Sequence, residues 1–505
     1  MELSPIKNNF LKILGLYTLF KIGYDNLGIG KYYTLWMIKS IPFVKGKIEE
    51  KIDKARNDIK TDLNSTIKDL ALNLNIPKIG VEPAEVVEQI KDLNQIVPFE
   101  TNQGRVSGCV YSNSKKIDYI FENVFPLLER SNPLHPDIFP GVRKMEAEVV
   151  NMCGNLLKSP NPQAGSFTSG GTESILLAMR CYKKMAKKKG LKGEIVLANS
   201  AHAAYWKAAE YFDMNVVEID TLDEELSVEM VETTITSRTT VVICSAPSFN
   251  YGLVDDISGI ANFCNQKNIY LHVDMCLGGF LIPFLDDIKC DFEIEGITSI
   301  SLDTHKYGYG PKGGSVILYR NKELLKTHCF VKEDWSGGIY GTSNLSGSRS
   351  GSVIGLTWAT IMSTGMKGYR DEATKIQRLT LKLRNAIDLI PELNVKGVPE
   401  VNIVAMASDE FNIYLLCDEL KEAGWCLNIL QNPASFHFCI TSIHTDEMID
   451  DFIRDIIKFT NEIMVIDNRV DLQTASIYGT TQKVNDPEII DDMVREYICC
   501  LMELL

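Results

Sequence analysis

The sequence predicts an α/β protein with a large, mostly parallel sheet covered by helices on both faces, followed by a smaller α/β domain. Two patterns lead to this prediction. Apolar, β-branched runs alternate with helical periodicity between residues 146 and 368, and beyond that point the apolar runs become fewer and shorter. The chain has 505 residues and is 45% hydrophobic, which is enough to bury cores of this size.

The larger part contains a regular series of apolar runs that predict buried strands. They lie at residues 194–198, 216–219, 240–245, 269–274, 296–302 and 315–319. Helical patterns precede and separate them, with helices ending near residues 157 and 189 and others starting near 203 and 257. Residues 165–172 are predicted to form a turn. Because strands joined through helices pair in parallel, this order predicts one mostly parallel sheet.

The last third of the chain predicts a smaller sandwich of helices and short strands. Helices are expected at 375–390, 410–424 and 445–464, strands at 401–406 and 434–442, a loose connection at 467–485 and a terminal helix from Pro487. Four parts are therefore expected: an arm (1–60), a segment leading into the body (61–145), the large domain (146–368) and the small domain (369–505).

Charge and cysteine content exclude several classes of protein. The formal net charge is −14 and the isoelectric point is near 5.2, which argues against a general nucleic-acid binder. The thirteen cysteines are scattered and show no zinc-site spacing, so we expect free thiols in a reducing compartment and no metal site. Cys276 and Cys439 lie in apolar runs and are expected to be small buried residues.

The first segment combines apolar and aromatic residues with lysines. Residues 10–20 and 32–44 are apolar but interrupted by lysine, and neither approaches the roughly 20 uninterrupted apolar residues of a spanning helix. Such a segment suits a helix lying in the headgroup region of a membrane. An amphipathic arm packed on a partner subunit is an equal alternative. We see no cleavable signal sequence.

Three features in order along the chain indicate one cofactor. Gly170, Gly171 and Thr172 open a helix and form an anion cup, Asp274 ends a strand, and Lys306 follows the next strand. Each feature alone has a commoner explanation: a helix cap, a turn former or a solvated lysine. Together, a lysine for a Schiff base, an aspartate for a protonated pyridine nitrogen and a helix terminus for a phosphate predict a pyridoxal 5'-phosphate site.

Residues 303–308, with 272–274 and 168–174, resemble the pyridoxal-phosphate-dependent decarboxylase group of fold type I, whose large domain has a seven-stranded sheet. Further matches lie at 131–141, 200–204, 335–340 and 347–349. Within this group the chain is most similar to lyases that cleave phosphorylated sphingoid bases, from about residue 42 to the last helix. It departs from the pattern at 249–252 and 341–344, near the expected site.

The resemblance implies roles for individual residues. Lys306 would carry the cofactor and act in catalysis, Asp274 would pair with its ring nitrogen and His202 would stack on its ring. The cofactor contacts would be completed by Gly170, Gly171, Thr172 and His305, and by Gly347 and Ser348 of a second subunit. The substrate phosphate would be bound by Tyr111, Asn132, His135 and Lys312. Without the resemblance, Lys312 would be taken as a solvated turn lysine. A structural hydrogen-bonding role is an alternative for His135.

The resemblance also implies the activity. A retro-aldol cleavage would give a long-chain aldehyde and phosphoethanolamine, in a homodimer with shared sites on the cytosolic side of the endoplasmic reticulum membrane. An amino-acid decarboxylase would use Lys306 and Asp274 equally well but has no use for a phosphate cluster. A catalytically silent, membrane-associated homologue is a third alternative, although it has no physical need for intact Lys306, Asp274 and His202.

Overall fold

The computed structural model describes residues 71–96, 104–398, 401–465 and 487–503, together with scattered positions between 46 and 70. These residues belong to two compact units, Met1–Val97 with Ile477–Leu505 and Pro98–Ser476. Most of the predicted arm at 1–60, including both apolar runs, and the connection at 467–485 lie outside the described residues. In the part of the chain that is described, no helix is both long enough and apolar enough to cross a bilayer.

The core of the larger unit is a seven-stranded sheet. Its strands are β1 (Gly165–Thr168), β2 (Glu194–Ala198), β3 (Asn215–Ile219), β4 (Thr239–Ser245), β5 (Tyr270–Asp274), β6 (Ile297–Leu302) and β7 (Ser315–Tyr319). They lie side by side in the order β1-β7-β6-β5-β4-β2-β3. Of these strands, only β7 runs antiparallel to its neighbours. The predicted mostly parallel sheet is therefore confirmed.

Helices make up much of the remainder of both units. Among the described residues they are α1 (Pro83–Asn94), α2 (Lys115–Leu128), α3 (Pro140–Leu156), α4 (Gly171–Lys188), α5 (Ala204–Phe212), α6 (Val228–Thr234), α7 (Ile257–Lys267), α8 (Lys322–His328), α9 (Gly351–Ile387), α10 (Ile413–Glu422), α11 (Asp446–Val465) and α12 (Pro487–Cys500). The inner strands β2 and β4 are buried along their whole length, as expected for strands covered by helices on both faces.

Several short or exposed strands were not predicted, among them β1, whose residues 165–168 were predicted to belong to a turn. β1 has only four residues, three of which are glycine, serine and threonine, and it gains its extended form by pairing with β7. The hairpin of β8 (Phe330–Trp335) and β9 (Gly338–Thr342) is a separate two-stranded sheet. Its strands show no alternation of buried and exposed residues, because β8 is exposed at every position. A pattern based on burial cannot detect such a strand.

The long helix α9 begins 24 residues before the predicted start at residue 375. Its first half is rich in glycine, serine and threonine, which have low helix propensity. Close packing explains these residues. A β-carbon on Gly351 or Gly355 would lie 2.0 Å from a side-chain atom of Ser131 or Leu128, respectively. Glycine therefore lets α9 pack tightly against the end of α2, and this tertiary contact outweighs propensity. The predicted boundary between residues 368 and 369 falls inside α9, and the division into four parts stays a prediction.

The small sheet lies at the carboxyl end of the larger unit. Its strands are β10 (Asn394–Val395), β11 (Ile403–Ala407), β12 (Asn428–Leu430) and β13 (Ser435–Cys439), in the order β10-β11-β13-β12. The helices predicted here correspond to α10 and α11, and the two predicted strands correspond to β11 and β13. Phe438 of β13 stacks on Phe452 with ring centroids 4.3 Å apart, and Trp425 meets both rings.

We expect Phe438→Ala to destabilise the larger unit strongly, because the ring is fully buried and alanine would leave a cavity between Phe452 and Trp425. The free energy of unfolding should fall by about 3–5 kcal/mol. Urea denaturation followed by tryptophan fluorescence measures this change. Leu389→Ala is the matched control, since Leu389 is 82% exposed, and its effect should stay within about 0.5 kcal/mol. Equal effects of the two substitutions would contradict this view of the core.

The smaller unit includes an ion-pair cluster around α12. Glu503 accepts hydrogen bonds from Arg56 at 3.0 Å and from Lys60 at 2.9 Å, and Arg56 also lies 3.3 Å from Glu496. These side chains are about one-third exposed, so solvent screens each pair and it contributes little to stability. The predicted terminal helix from Pro487 is confirmed.

Candidate active site

The carboxyl ends of neighbouring parallel strands bring the candidate residues together. Ser245 at the end of β4 pairs in register with Asp274 at the end of β5, and Asp274 pairs with Ser301 of β6. A cavity of about 610 Å³ opens beyond these ends. Of the residues implicated by sequence, those lining it are Tyr111, Gly170, Gly171, Thr172, His202, Asp274, His305, Lys306 and Lys312. A crevice at this edge is where α/β sheets bind ligands.

Asp274 is a buried carboxylate with several donors. Its oxygens accept hydrogen bonds from the Tyr205 hydroxyl at 3.2 Å, the Cys276 N–H at 3.0 Å and the Ser301 hydroxyl at 3.5 Å. Burial acts to raise the pKa of Asp274, but the nearby His202 and the Cys276 N–H outweigh it and hold this pKa below its usual value. Asp274 therefore stays ionised in a buried position and can bind a cationic group.

Lys306 forms an ion pair with Asp303. Its Nζ lies 2.9 Å from Oδ2 of Asp303, which is itself buried. Burial acts to lower the pKa of Lys306, but the Asp303 carboxylate outweighs burial and raises this pKa. Asp303 sets the direction of this shift because its carboxylate is the charge nearest to the amine.

The residues of the predicted anion cup lie at the start of α4. Gly170 precedes the helix with φ of 151°, a conformation that favours glycine. A β-carbon on Gly171 would lie 2.8 Å from Cys276 Sγ, so glycine is also required for close packing there. Glu173 accepts a hydrogen bond from the Ser169 N–H at 2.6 Å and another from the Leu345 N–H at 2.7 Å. Glu173 thus connects the cup to the loop that follows β9.

Two histidines line the cavity near these residues. His305 Nδ1 lies 2.6 Å from the carbonyl oxygen of Gly314, so this nitrogen carries the proton and donates it. Burial lowers the pKa of His305, which favours the neutral ring. His202 accepts a hydrogen bond from the Ala204 N–H through Nδ1 at 3.1 Å, and its ring is exposed to the cavity. A ring held in this way can stack on a planar ligand.

Lys312 and Tyr111 lie together in the cavity lining. Lys312 Nζ is 4.5 Å from the centre of the Tyr111 ring and donates a hydrogen bond to the Cys109 carbonyl oxygen at 3.1 Å. Tyr111 in turn meets the Tyr307 ring edge-on, with centroids 5.1 Å apart. Partial burial lowers the pKa of Lys312. Within the described part of the chain no carboxylate forms an ion pair with Lys312, so this cation can bind an anion entering the cavity.

The remaining candidates form a second cluster that does not line the cavity. Asn132 donates a hydrogen bond to the Ser348 hydroxyl at 3.1 Å and accepts one from the Arg349 N–H at 3.3 Å. Its neighbour His135 is exposed, and Gly347 lies close to the Tyr340 hydroxyl. Within one chain the four proposed phosphate-binding residues therefore fall into two pairs: Tyr111 with Lys312, and Asn132 with His135.

Sequence reasoning gave no role to several residues that shape the site. Asp303 pairs with Lys306, Glu173 supports the cup, and Tyr205 and Ser301 hold Asp274. Asp303 lies in the motif that matched the family, three residues before Lys306. Its pairing with that lysine could therefore have been predicted from the sequence. Tyr205 offered none, because its hydroxyl reaches Asp274 across 69 residues of sequence.

The departures at 249–252 and 341–344 border the site. Phe249 lies in the cavity lining and packs edge-on against His437, with centroids 4.9 Å apart. Asn344 donates a hydrogen bond to the Phe167 carbonyl oxygen at 2.7 Å, and Ser343 pairs with Ser166 at 2.9 Å. These bonds hold the divergent loop against β1, close to the cup.

The residues present fit pyridoxal phosphate. The buried, ionised Asp274 suits a protonated ring nitrogen, the glycine-lined first turn of α4 suits a phosphate, and Lys306 supplies the amine. A cavity of about 610 Å³ is also of the usual size for a cofactor site.

Comparisons with known proteins agree with this chemistry. Residues 130–406 match the pyridoxal-dependent decarboxylase conserved domain. The chain is 38% identical over 466 residues to sphingosine-1-phosphate lyase 1 of Rattus norvegicus, covering 90% of this chain and 82% of that protein. It is 34% identical to the sphingosine-1-phosphate lyase of Saccharomyces cerevisiae, covering 93% and 82%.

Solved structures give the same result. The sphingosine-1-phosphate lyase of Burkholderia pseudomallei superposes with a TM-score of 0.75 at 30% identity, over 83% of this chain and 99% of that one. Glutamate decarboxylase of Lactobacillus brevis shares the fold, with a TM-score of 0.69 at 20% identity over 80% of this chain and 98% of that one. The strand order, the residues around Lys306 and these matches together show that the chain belongs to the pyridoxal-dependent decarboxylase family, in its sphingosine-1-phosphate lyase branch.

Proposed function

We propose that this protein cleaves sphingosine 1-phosphate and related phosphorylated sphingoid bases into a long-chain aldehyde and phosphoethanolamine. The observation that carries the proposal is the position of Lys312, whose cation lines the same cavity as Lys306 and Asp274. An amino-acid decarboxylase needs no phosphate-binding group there. The relatives named above are sphingosine-1-phosphate lyases that match this chain over most of their length, and they support the same substrate class.

The reaction breaks the carbon–carbon bond between the amine-bearing carbon and the hydroxyl-bearing carbon of the substrate. Pyridoxal phosphate, when bound, supplies the electron sink for this cleavage. Asp274 would bind the protonated ring nitrogen, because its carboxylate is buried and ionised. Lys306 would hold the cofactor between turnovers, and in its ammonium form it can deliver a proton within the cavity.

Lys312 and Tyr111 are proposed to bind the substrate phosphate. The ammonium is held over the Tyr111 ring and at the Cys109 carbonyl, which limits its movement before substrate arrives. A phosphate dianion would then gain a charge-assisted hydrogen bond in a partly buried position. The phosphorylated end of the substrate would thus be held while its amine reaches Lys306.

In a homodimer with shared sites, the second cluster, formed by Asn132, His135, Gly347 and Ser348, could contribute to the active site of the partner subunit. The β8–β9 hairpin exposes Phe330, Val331, Trp335 and Ile339, the last of which is 84% accessible. Exposed apolar surface of this kind marks an interaction site. The hairpin leads directly into Gly347 and Ser348. We propose that these two residues contact the cofactor bound by a partner subunit, and that Asn132 and His135 act beside them on the substrate phosphate.

We further propose that residues 1–60 attach the protein to the endoplasmic reticulum membrane, with the catalytic unit facing the cytosol. The lysine-interrupted apolar runs at 10–20 and 32–44 support association with a membrane surface. Fractionation of cells followed by alkaline extraction distinguishes the alternatives: a surface-bound protein is released, a spanning one is retained, and a protein anchored only through its partner stays soluble throughout.

The substrate proposal is tested by comparing phosphorylated and unphosphorylated sphingoid bases with the purified protein. We expect aldehyde and phosphoethanolamine from the phosphorylated base. Lys312→Ala should lower kcat/KM for this substrate by about 10- to 100-fold, because one charge-assisted bond is lost, while the visible absorbance of the bound cofactor remains. Mass spectrometry of both products gives the rates.

Lys367→Ala is the matched control, since Lys367 is 88% exposed and pairs only with a neighbouring carboxylate in its own helix. Its kcat/KM should equal that of the unmodified protein. Release of carbon dioxide from amino acids without any aldehyde would contradict the lyase proposal. A protein that binds no cofactor would instead support a catalytically silent homologue.

A further inference from the structure

Asp303 is a buried carboxylate with a role that its family motif does not explain. It is 3% exposed and lines the cavity. Its Oδ2 pairs with Lys306 Nζ at 2.9 Å, whereas its Oδ1 is buried without a hydrogen-bond partner among the described residues. A buried carboxylate is costly unless it is paired, so Lys306 is the main compensation for this charge.

The position of Asp303 is fixed from two sides. Its N–H donates a hydrogen bond to the Cys276 carbonyl oxygen at 3.3 Å. A β-carbon on Gly171 would lie 3.0 Å from both carboxylate oxygens, so the carboxylate rests against the first turn of α4. The partial positive charge of that helix terminus favours an anion. Asp303 is therefore held as a fixed negative charge beside the lysine.

His305 does not compete for this carboxylate. Its Nε2 lies 3.8 Å from Asp303 Oδ2, but Nδ1 already donates its proton to Gly314, and the neutral ring has no second proton to give. Other groups act on Lys306 electrostatically. From the elements around the cavity they are Cys276, Tyr111, Cys439, His305 and Lys312. Asp303 is the carboxylate that reaches the amine directly.

We propose that Asp303 is the counter-ion of free Lys306: it holds the amine in its ammonium form, at a fixed place in the cavity, whenever the lysine is not joined to the cofactor. Asp303 is thus a positioning residue that acts through Lys306. The proposal rests on the proposed function only in taking Lys306 as the reactive lysine. Its consequence is that the free lysine carries a proton ready for transfer, and that it must give up this proton before its lone pair can bond to the cofactor again.

The test measures Lys306 itself, in the folded protein freed of cofactor. Trace acetic anhydride labels only neutral amines, so labelling of each lysine across pH 6–11, read by peptide mass spectrometry, gives its titration. We expect Lys306 to titrate above the exposed Lys367 in the unmodified chain. In Asp303→Asn it should titrate below Lys367, because burial and the nearby Lys312 then act without an opposing carboxylate, and at pH 8 its labelling should be at least about tenfold faster.

Controls separate charge from shape. Asp303→Glu should restore slow labelling, and Asp286→Asn should change nothing, since Asp286 is 92% exposed. A change in solvent access to Lys306 alters the labelling rate reached at high pH, whereas loss of the counter-ion moves the pH midpoint of the labelling curve. Should Asp303→Asn fail to fold by circular dichroism, Asp303→Ser removes the same charge. Identical midpoints for Lys306 with and without the carboxylate would overturn the proposal. Because labelling needs neither cofactor nor substrate, that result is distinguishable from failure of the lyase function.

Discussion

Lys306→Ala is expected to reduce turnover of a phosphorylated sphingoid base by about 10³-fold or more. The substitution removes both the covalent attachment of the cofactor and the amine that can transfer a proton inside the cavity. Asp303 would also lose its partner and remain as an uncompensated buried charge. The visible absorbance that depends on the lysine–cofactor bond should disappear, and borohydride treatment should leave no cofactor fixed to the protein.

Two comparisons make this result specific. Lys367→Ala removes an exposed lysine and should leave both absorbance and turnover unchanged. Addition of a small primary amine to Lys306→Ala should restore part of the turnover if the missing group is an amine. Retention of the visible absorbance and of normal turnover by Lys306→Ala would show that another lysine carries the cofactor. The cavity offers Lys312 as that alternative, so the double variant decides between them.

The sequence was sufficient for the main sheet because its inner strands are buried on both faces. All six predicted large-domain strands match the structure within one residue at each end, since a continuous apolar run such as 240–245 is stable only where both faces are covered. Edge and hairpin strands such as β1 and β8 escaped prediction because their conformation depends on pairing rather than on burial.

The candidate site was predictable only where the chain order encodes it. Lys306, Asp274 and Gly171 sit at element ends, and parallel topology brings such ends to one edge of the sheet. Tyr205 and Glu173 act through contacts between distant segments, which no local pattern records. A specific motif can also be misleading about position. Asn132 lies in such a motif, yet in one chain it contacts Ser348 and does not line the cavity. A role for Asn132 at the substrate requires the proposed partner subunit.

Two buried carboxylates lie at the cavity, Asp303 and Asp274, and they differ in their neighbours. Asp303 neutralises Lys306 at one side, while Asp274 lies beside His202 and keeps its negative charge. The two carboxylates are both buried, but only Asp303 already has a cationic partner within hydrogen-bonding distance. Asp274 is therefore the one available to a positively charged ring nitrogen, and its charge should matter for bond cleavage more than for attachment of the cofactor.

Asp274→Asn is accordingly expected to lower kcat by about 10²- to 10³-fold, while the cofactor remains joined to Lys306. The estimate follows from the loss of a buried charge pair, about 3–5 kcal/mol. The amide keeps the shape of the side chain. Its oxygen can still accept the hydrogen bond from the Cys276 N–H, and its NH2 group can donate to the Tyr205 hydroxyl oxygen, so the fold should survive. Single-turnover kinetics with a phosphorylated sphingoid base measures the change, and Asp286→Asn is the surface control.

A cofactor analogue with carbon in place of the ring nitrogen shows whether Asp274 acts through that nitrogen. With this analogue, the kcat of the unmodified protein should be low. Asp274→Asn should lower kcat little further, because there is no ring charge left to stabilise. The two changes would then be strongly non-additive, as expected for groups that act as a unit. Full additivity would mean that Asp274 works elsewhere, for example by holding Tyr205 and Ser301 in place. The comparison therefore separates an electrostatic role of Asp274 from a structural one.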